Sequence, residues 1–187
     1  DPQVGFAAAN TNPLPGKNFI ERAVNIYTEA RLKIIQKGYC DNAYFARGFL
    51  GFSFEFAKIL RIPADIINDD TYAYITCKKN GFKFCFAKST IAWYRAPSTL
   101  GDHLSQSLRY VNGGKQLSEI FGTKALKQSF ALPKSVQIKI MLYQIRKNPF
   151  GYLFMKFVNF YIFCKTVKSD DSLNGVWQPI LSSKQLL

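Results

Sequence analysis

Two short motifs carry the side chains best suited to chemistry. The first is the acidic pair Asp69-Asp70, inside D-I-I-N-D-D-T-Y-A-Y at residues 65–74. Adjacent carboxylates repel each other, so the pair reads either as a solvated turn or as a site that needs an ionised base beside cations. The second is Q-S-L-R-Y, Gln106 to Tyr110. On a helix Gln106 and Arg109 share a face, and so do His103, Gln106 and Tyr110. A guanidinium grips phosphate as a fork, an amide hydrogen-bonds a hydroxyl, and a phenol ring stacks on a sugar. The same face also reads as an ordinary solvated one. His103 is then either a ligand contact or a helix-surface histidine without a role.

These motifs need elements to hold them. Val4 to Ala9 reads as a short buried strand, and N-T-N-P-L-P-G-K after it as a break. A helix follows. Asn18 and Glu21 form a capping-box pattern, Ile20, Ala23, Val24, Tyr27, Ala30 and Ile34 recur at helical spacing, and Gly38 is the stop. Residues 44–60 alternate Phe with small or polar residues. They read as a strand pair turning at glycine, or as a loop in which Gly48 and Gly51 let a ligand lie against the backbone. A second helix is expected from Asn68 to Asn80-Gly81. A strand with Phe82, Phe84 and Phe86 on one face follows. A third helix starts at Ser98 or Thr99, with Asp102 completing a cap and Leu100, Leu104, Leu108 and Val111 as its buried stripe. Strands alternating with helices indicate an α/β sheet domain.

The region from Pro133 onward has a different character. S-V-Q-I-K-I-M-L-Y-Q-I-R-K reads as a helix. F-G-Y-L-F-M-K-F-V-N-F-Y-I-F-C-K is apolar on nearly all sides but too short and too interrupted for a membrane span. It reads as a buried helix, an interfacial membrane helix flanked by lysines, or a partner-docking helix.

Composition bounds the function classes. The chain has 187 residues, 48% hydrophobic and 16% aromatic, enough for one packed domain rather than a disordered segment. Cys40, Cys77, Cys85 and Cys164 show no metal or disulfide spacing, which fits a reducing compartment. The first ten residues lack the basic start and apolar core of a signal peptide. Because the chain does not open on Met, it is expected to be a segment or a cleaved product. Net charge is +13, and between Lys78 and Lys168 there are 16 Lys and Arg against only Asp102 and Glu119. Such a field attracts polyanions: phosphorylated small molecules, nucleic acid, or the anionic face of a membrane.

Taken in order, an acidic pair opening a helix, then K-K-N-G-F-K-F-C-F-A-K and a basic aromatic strand, then Q-S-L-R-Y resemble the second half of a family 2 glycosyltransferase of the GT-A fold. G-V-W-Q-P-I-L-S-S-K at 175–184 is similar to tails seen in such enzymes. The resemblance spans residues 1–116, with 117–187 as a helical basic and apolar extension, and implies a partial GT-A-like mixed sheet flanked by helices. It further implies an inverting transfer of sugar from a nucleotide-diphosphate sugar to an acceptor hydroxyl; the basic region and the 150–165 helix suit a saccharide or lipid-linked acceptor at the cytoplasmic face of a membrane. Asp70 would be the catalytic base and Asp69 its neighbour and tuner. Arg109 would neutralise the leaving diphosphate, while Gln106 and Tyr110 shape the site. Tyr110 stands where the family carries tryptophan. Nothing matches the D-x-D that binds Mg or Mn and the sugar nucleotide; the chain is expected to begin just after it, so that the metal ligand and the uridine-binding strand would be missing. The rival reading is a non-catalytic basic module for nucleic acid or anionic lipid. Nucleic acid fits less well, because the aromatics sit at core-like periodicity and no RNA-binding signature is present.

Overall fold

The computed structural model describes residues 1–36 and 38–168. The tail motif at 175–184 lies outside the described residues.

A three-stranded mixed sheet has the order β2-β1-β3. The central strand β1, Val4–Pro13, pairs in parallel with β3, Lys83–Tyr94, and antiparallel with the short β2, Leu50–Phe52. β1 does not stop at Ala9 as expected. Asn10, Thr11 and Asn12 continue the ladder opposite Ile91, Ala92 and Trp93, after β3 skips three positions in register. Proline is tolerated at a strand end, so Pro13 closes the strand rather than breaking the segment before it. Phe6 at the sheet centre is fully buried, with the rings of Phe52 and Phe84 at 5.1 and 5.2 Å. Phe82 and Phe86 flank Phe84 against the same core, on the shared face read from the alternation.

The helices are α1, Phe19–Gln36; α2, Phe54–Ile59; α3, Asp69–Lys79; α4, Leu100–Phe121; α5, Thr123–Ser129; α6, Lys134–Lys147; and α7, Pro149–Lys168. α1 starts as its cap predicts: Asn18 Oδ1 accepts the Glu21 N–H at 2.9 Å, while the Glu21 carboxylate takes the Lys17 N–H. Residues 44–60 are not a strand pair. Asn42 and Ser53 side chains cap a 3-10 turn at Ala43–Phe45 and α2, leaving only β2 extended between them. Local side-chain caps here outweigh the alternation of phenylalanines.

α4 corrects a second expectation. Its Thr99 cap on Asp102 N–H is present at 3.1 Å. Yet Leu100 and Val111 are exposed, and the buried positions are His103, Gly113, Gln116 and Leu117. His103 is therefore interior rather than a surface histidine. The reason lies in what α4 packs on: not an apolar sheet but α7 along one side and, around Gly113 and Gln116, the loop 65–68 that leads into α3. That loop's backbone polar groups need partners. Gln116 supplies two, accepting from Ile67 N–H and donating to the Asp65 carbonyl, both at 3.0 Å. α4 also runs unbroken through position 116.

α6 and α7 pack on α1. Phe154 meets Phe19 edge-on at 5.2 Å, and Lys33 sits over the Tyr143 ring at 5.2 Å. α7 buries Tyr152, Met155, Val158 and Ile162 and exposes Phe150, Leu153, Phe157 and Phe160. Among the described residues no helix is long and apolar enough to cross a membrane.

Candidate active site

β1 and β3 run parallel, and α3 leads back into the start of β3, so the N-terminus of α3 lies towards the carboxyl ends of both strands. In open α/β sheets that edge is where ligands bind. Asp70 opens α3 there. Its Oδ1 accepts the Thr71 N–H at 2.5 Å and the Thr71 hydroxyl at 3.2 Å. Burial pushes the Asp70 carboxyl above its ordinary value. The Arg47 guanidinium and the Thr71 hydrogen bonds pull against that, and Asp69 adds a smaller upward push. Asp69 itself is exposed and accepts the Asp70 N–H at 3.0 Å. The two acids thus have different roles: one carboxylate faces solvent, the other sits in a polar, partly dry setting next to a cation.

The cation beside Asp70 is one of a pair. Arg31, on the inner face of α1, is only 8% exposed. It donates to the Thr11 carbonyl at 2.9 Å, to the Thr11 hydroxyl, and to the Tyr44 carbonyl at 3.5 Å. Burial first, and the neighbouring Arg47 second, lower its pKa to about 10, while Tyr94 and Tyr110 act the other way. Electrostatic effects of this kind need proximity, so Arg47 links Asp70 to Arg31, and the Tyr110 phenol from α4 belongs to the same neighbourhood. The Nε atoms of both Arg31 and Arg47 are buried without a hydrogen-bond partner.

Gly48 follows Arg47 with φ of +82°, and a Cβ there would come within 2.3 Å of Thr11 Cγ2. The close approach foreseen for Gly48 is thus made by the chain's own Thr11, the residue that anchors Arg31. Gly51 pairs with Ala7 at the sheet edge, and a Cβ there would meet nothing within 4 Å.

α4 holds the other side. Asn68, two residues before Asp70, donates to the Tyr110 carbonyl at 3.3 Å. Tyr110 is 43% exposed, and Arg109 lies over its ring at 5.4 Å to the centroid. Gln106 is half-buried one turn earlier. His103 is buried: its Nε2 is 3.5 Å from Ser107 Oγ, its Nδ1 has no partner, and burial lowers its pKa. The fold therefore brings Asp70 and Tyr110 to one edge, sets Arg109 beside Tyr110 and Gln106 on the same helix, and leaves Gly51 away from them.

Sequence reading missed Arg31, Arg47, Thr11 and Tyr94. One signal was present: Arg31 interrupts the Tyr27–Ala30–Ile34 stripe, and a charge inside a buried arc calls for a partner. Among the described residues no group of three carboxylate, thiolate or imidazole side chains is placed to hold a metal. No protein-family model matches the chain, and no curated protein is significantly similar to it.

Proposed function

We propose that the chain is the acceptor-side part of an inverting, nucleotide-sugar-dependent glycosyltransferase with a GT-A-like sheet. The observation that carries this reading is the half-buried Asp70 carboxyl at the α3 N-terminus, with Arg47 near it and with α4, which carries Arg109 over the Tyr110 ring, tied to that N-terminus through Asn68 and the Tyr110 carbonyl. A general base works best with its pKa near the operating pH, and burial moves Asp70 in that direction.

In this mechanism the Asp70 carboxylate takes the proton of an acceptor hydroxyl. The oxygen attacks the anomeric carbon of the donor sugar from the face opposite the diphosphate. The bond from carbon to the diphosphate oxygen breaks, and its electron pair leaves with the nucleoside diphosphate. Arg109 offsets the charge developing on that group, a role suited to a cation fixed in advance. Gln106 and Tyr110 border the acceptor. Asp69 orients Asp70 through its hold on the Asp70 N–H. Mg or Mn and the sugar nucleotide would be bound by a D-x-D segment that residues 1–187 do not contain.

The acceptor is a saccharide or a lipid-linked saccharide, and the enzyme is peripheral at the cytoplasmic face of a membrane. Support for the surface comes from residues 120–169, which contain Lys and Arg but no Asp or Glu, together with the exposed aromatic stripe of α7. The rival, a basic module for nucleic acid or anionic lipid without catalysis, is separated by assay. Membranes carrying the full-length protein are given labelled nucleotide sugars, and product is followed for wild type and Asp70→Asn. Loss of transfer in the variant with retained folding supports the reading. Undiminished transfer in Asp70→Asn removes Asp70 from the base role, and salt-sensitive oligonucleotide binding without transfer favours the rival.

A further inference from the structure

A cavity of about 690 Å³ lies between α1, the 3-10 turn and the α6–α7 pair. Three cations border it: Arg31 from α1, Arg47 from the turn, and Lys156 from α7. Among the described residues no Asp or Glu lines it. Arg31 is buried and held only by neutral oxygens, and half-buried Arg47 has the Asp70 carboxyl alone as a nearby anion, so the lost hydration of the two is only partly offset. Arg31 and Arg47 also oppose each other. The orphaned Nε atoms of both guanidiniums leave hydrogen-bond donors unused. An anion placed between them would relieve both penalties.

One side of the remaining wall is apolar, formed by Phe130, Leu132, Ile138 and Met141, while Thr28, Gln137 and Gln144 supply polar groups elsewhere on it. Ile138 and Met141 are also exposed to solvent, at 53% and 39%, so the apolar wall continues outward onto the surface of α6. Leu142, at 56% exposure, and Ile145 extend that surface. A free inorganic anion would have no use for such a wall, and a neutral hydrocarbon none for the cations. Three cations suit a phosphate better than a single carboxylate, and a guanidinium fork matches phosphate oxygens.

We propose that this cavity binds a phosphorylated lipid, its phosphate held by Arg31, Arg47 and Lys156 and its hydrocarbon chain running along Phe130, Leu132 and Met141 onto the exposed face of α6. The inference deepens the transferase reading and rests on it for purpose: Arg47 belongs to both the cavity and the Asp70 neighbourhood. A saccharide carried on that phosphate would present a hydroxyl towards Asp70. The site thus selects a lipid-linked acceptor over a free sugar.

The test is direct binding by titration calorimetry of the full-length protein, with decyl phosphate below its micelle-forming concentration, decanol, decanoate and inorganic phosphate as probes. Decyl phosphate is expected to bind at least about tenfold more tightly than each of the others, since each lacks the tail, the headgroup or its second charge. Arg47→Gln and Lys156→Gln should each weaken decyl phosphate by about tenfold and leave decanol unchanged. These two, unlike the buried Arg31, can be replaced without removing a backbone anchor. Asp70→Asn should bind decyl phosphate as well as wild type or better. Equal binding of decyl phosphate and decanol overturns the proposal, as does equal binding of decyl phosphate and inorganic phosphate, or indifference to both cation variants. A protein that fails here but transfers sugar to a soluble acceptor through Asp70 would sink the lipid site alone.

Discussion

The Arg47 guanidinium acts on the Asp70 carboxyl against the effect of that carboxyl's own burial. Burial wins, so the folded-state pKa lies above the ordinary 3.8. The consequence for activity is an acidic limb in the rate profile above the usual carboxylate range, because the base must be ionised. Replacing Arg47 by Met removes the opposing cation and should move that limb to higher pH. A limb that stays in place in Arg47→Met would separate the two residues.

Stability should move the other way. A carboxyl whose folded pKa is raised favours the folded state when protonated, and that contribution is lost as pH rises through the raised value. At neutral pH the ionised Asp70 is therefore a burden. Asp70→Asn should raise the thermal midpoint there while abolishing transfer, and the gain should shrink on acidification. A lower midpoint in the variant at neutral pH would contradict the assignment of burial as the dominant effect.

Gly113 fixes the position of the α3 N-terminus from a distance. A Cβ at this position would lie 2.4 to 2.6 Å from the Asn68 side chain, which holds the Tyr110 carbonyl. Alanine in a helix interior is favoured over glycine by about 1 kcal/mol, and that offsets much of the steric cost. Gly113→Ala should thus leave the thermal midpoint within a few degrees of wild type but displace Asn68 and the residues that follow it. Transfer is expected to fall about tenfold or more, since small misplacements of a catalytic group are costly. Unaltered turnover with unaltered stability would show that the 65–68 loop does not position Asp70.

Where the sequence was legible, periodicity and caps agreed with packing. α1 follows from apolar spacing between its Asn18 and Gly38 boundaries, α3 from its bounds at Asn68 and Asn80-Gly81, and β3 from the Phe82–Phe86 alternation. Where it misled, polar groups were satisfying other polar groups. α4 turns Gly113 and Gln116 inward because it faces a loop, and no hydrophobic pattern announces such a contact. Residues 44–60 were misread because Asn42 and Ser53 caps decide that backbone, not its phenylalanines. Asp70 and Tyr110 were visible as motif residues. Arg31 and Arg47 were not, since their pairing is made only when α1 and the 3-10 turn meet.

His103 gives α4 a pH-sensitive interior. Its folded pKa lies below the ordinary 6.5 because burial opposes the imidazolium. Below pH 6.5 the unfolded chain takes up a proton that the folded chain resists, so the stabilisation present at neutral pH is lost as pH falls towards the folded value. His103→Gln should flatten that decline. Thermal midpoints of wild type and variant should differ more at neutral pH than at mildly acidic pH, or cross between them. Parallel curves across that range would show that His103 titrates alike in both states.

The exposed face of α7 yields the last prediction. Phe150 and Phe157 are each 78% exposed, and neither contributes to the core formed by Tyr152, Met155 and Val158. Burying a phenylalanine side chain in an apolar medium is worth about 1.5–3 kcal/mol. If α7 lies in a lipid interface, Phe150→Ser with Phe157→Ser should weaken binding to vesicles containing anionic phospholipid by about a hundredfold, with little change in thermal midpoint. Basic residues near an anionic surface add about 1 kcal/mol each, so neutral vesicles should bind wild type more weakly and raised salt should narrow the difference. Vesicle binding that survives both serine substitutions would turn the stripe away from the membrane and leave the surface lysines to act alone.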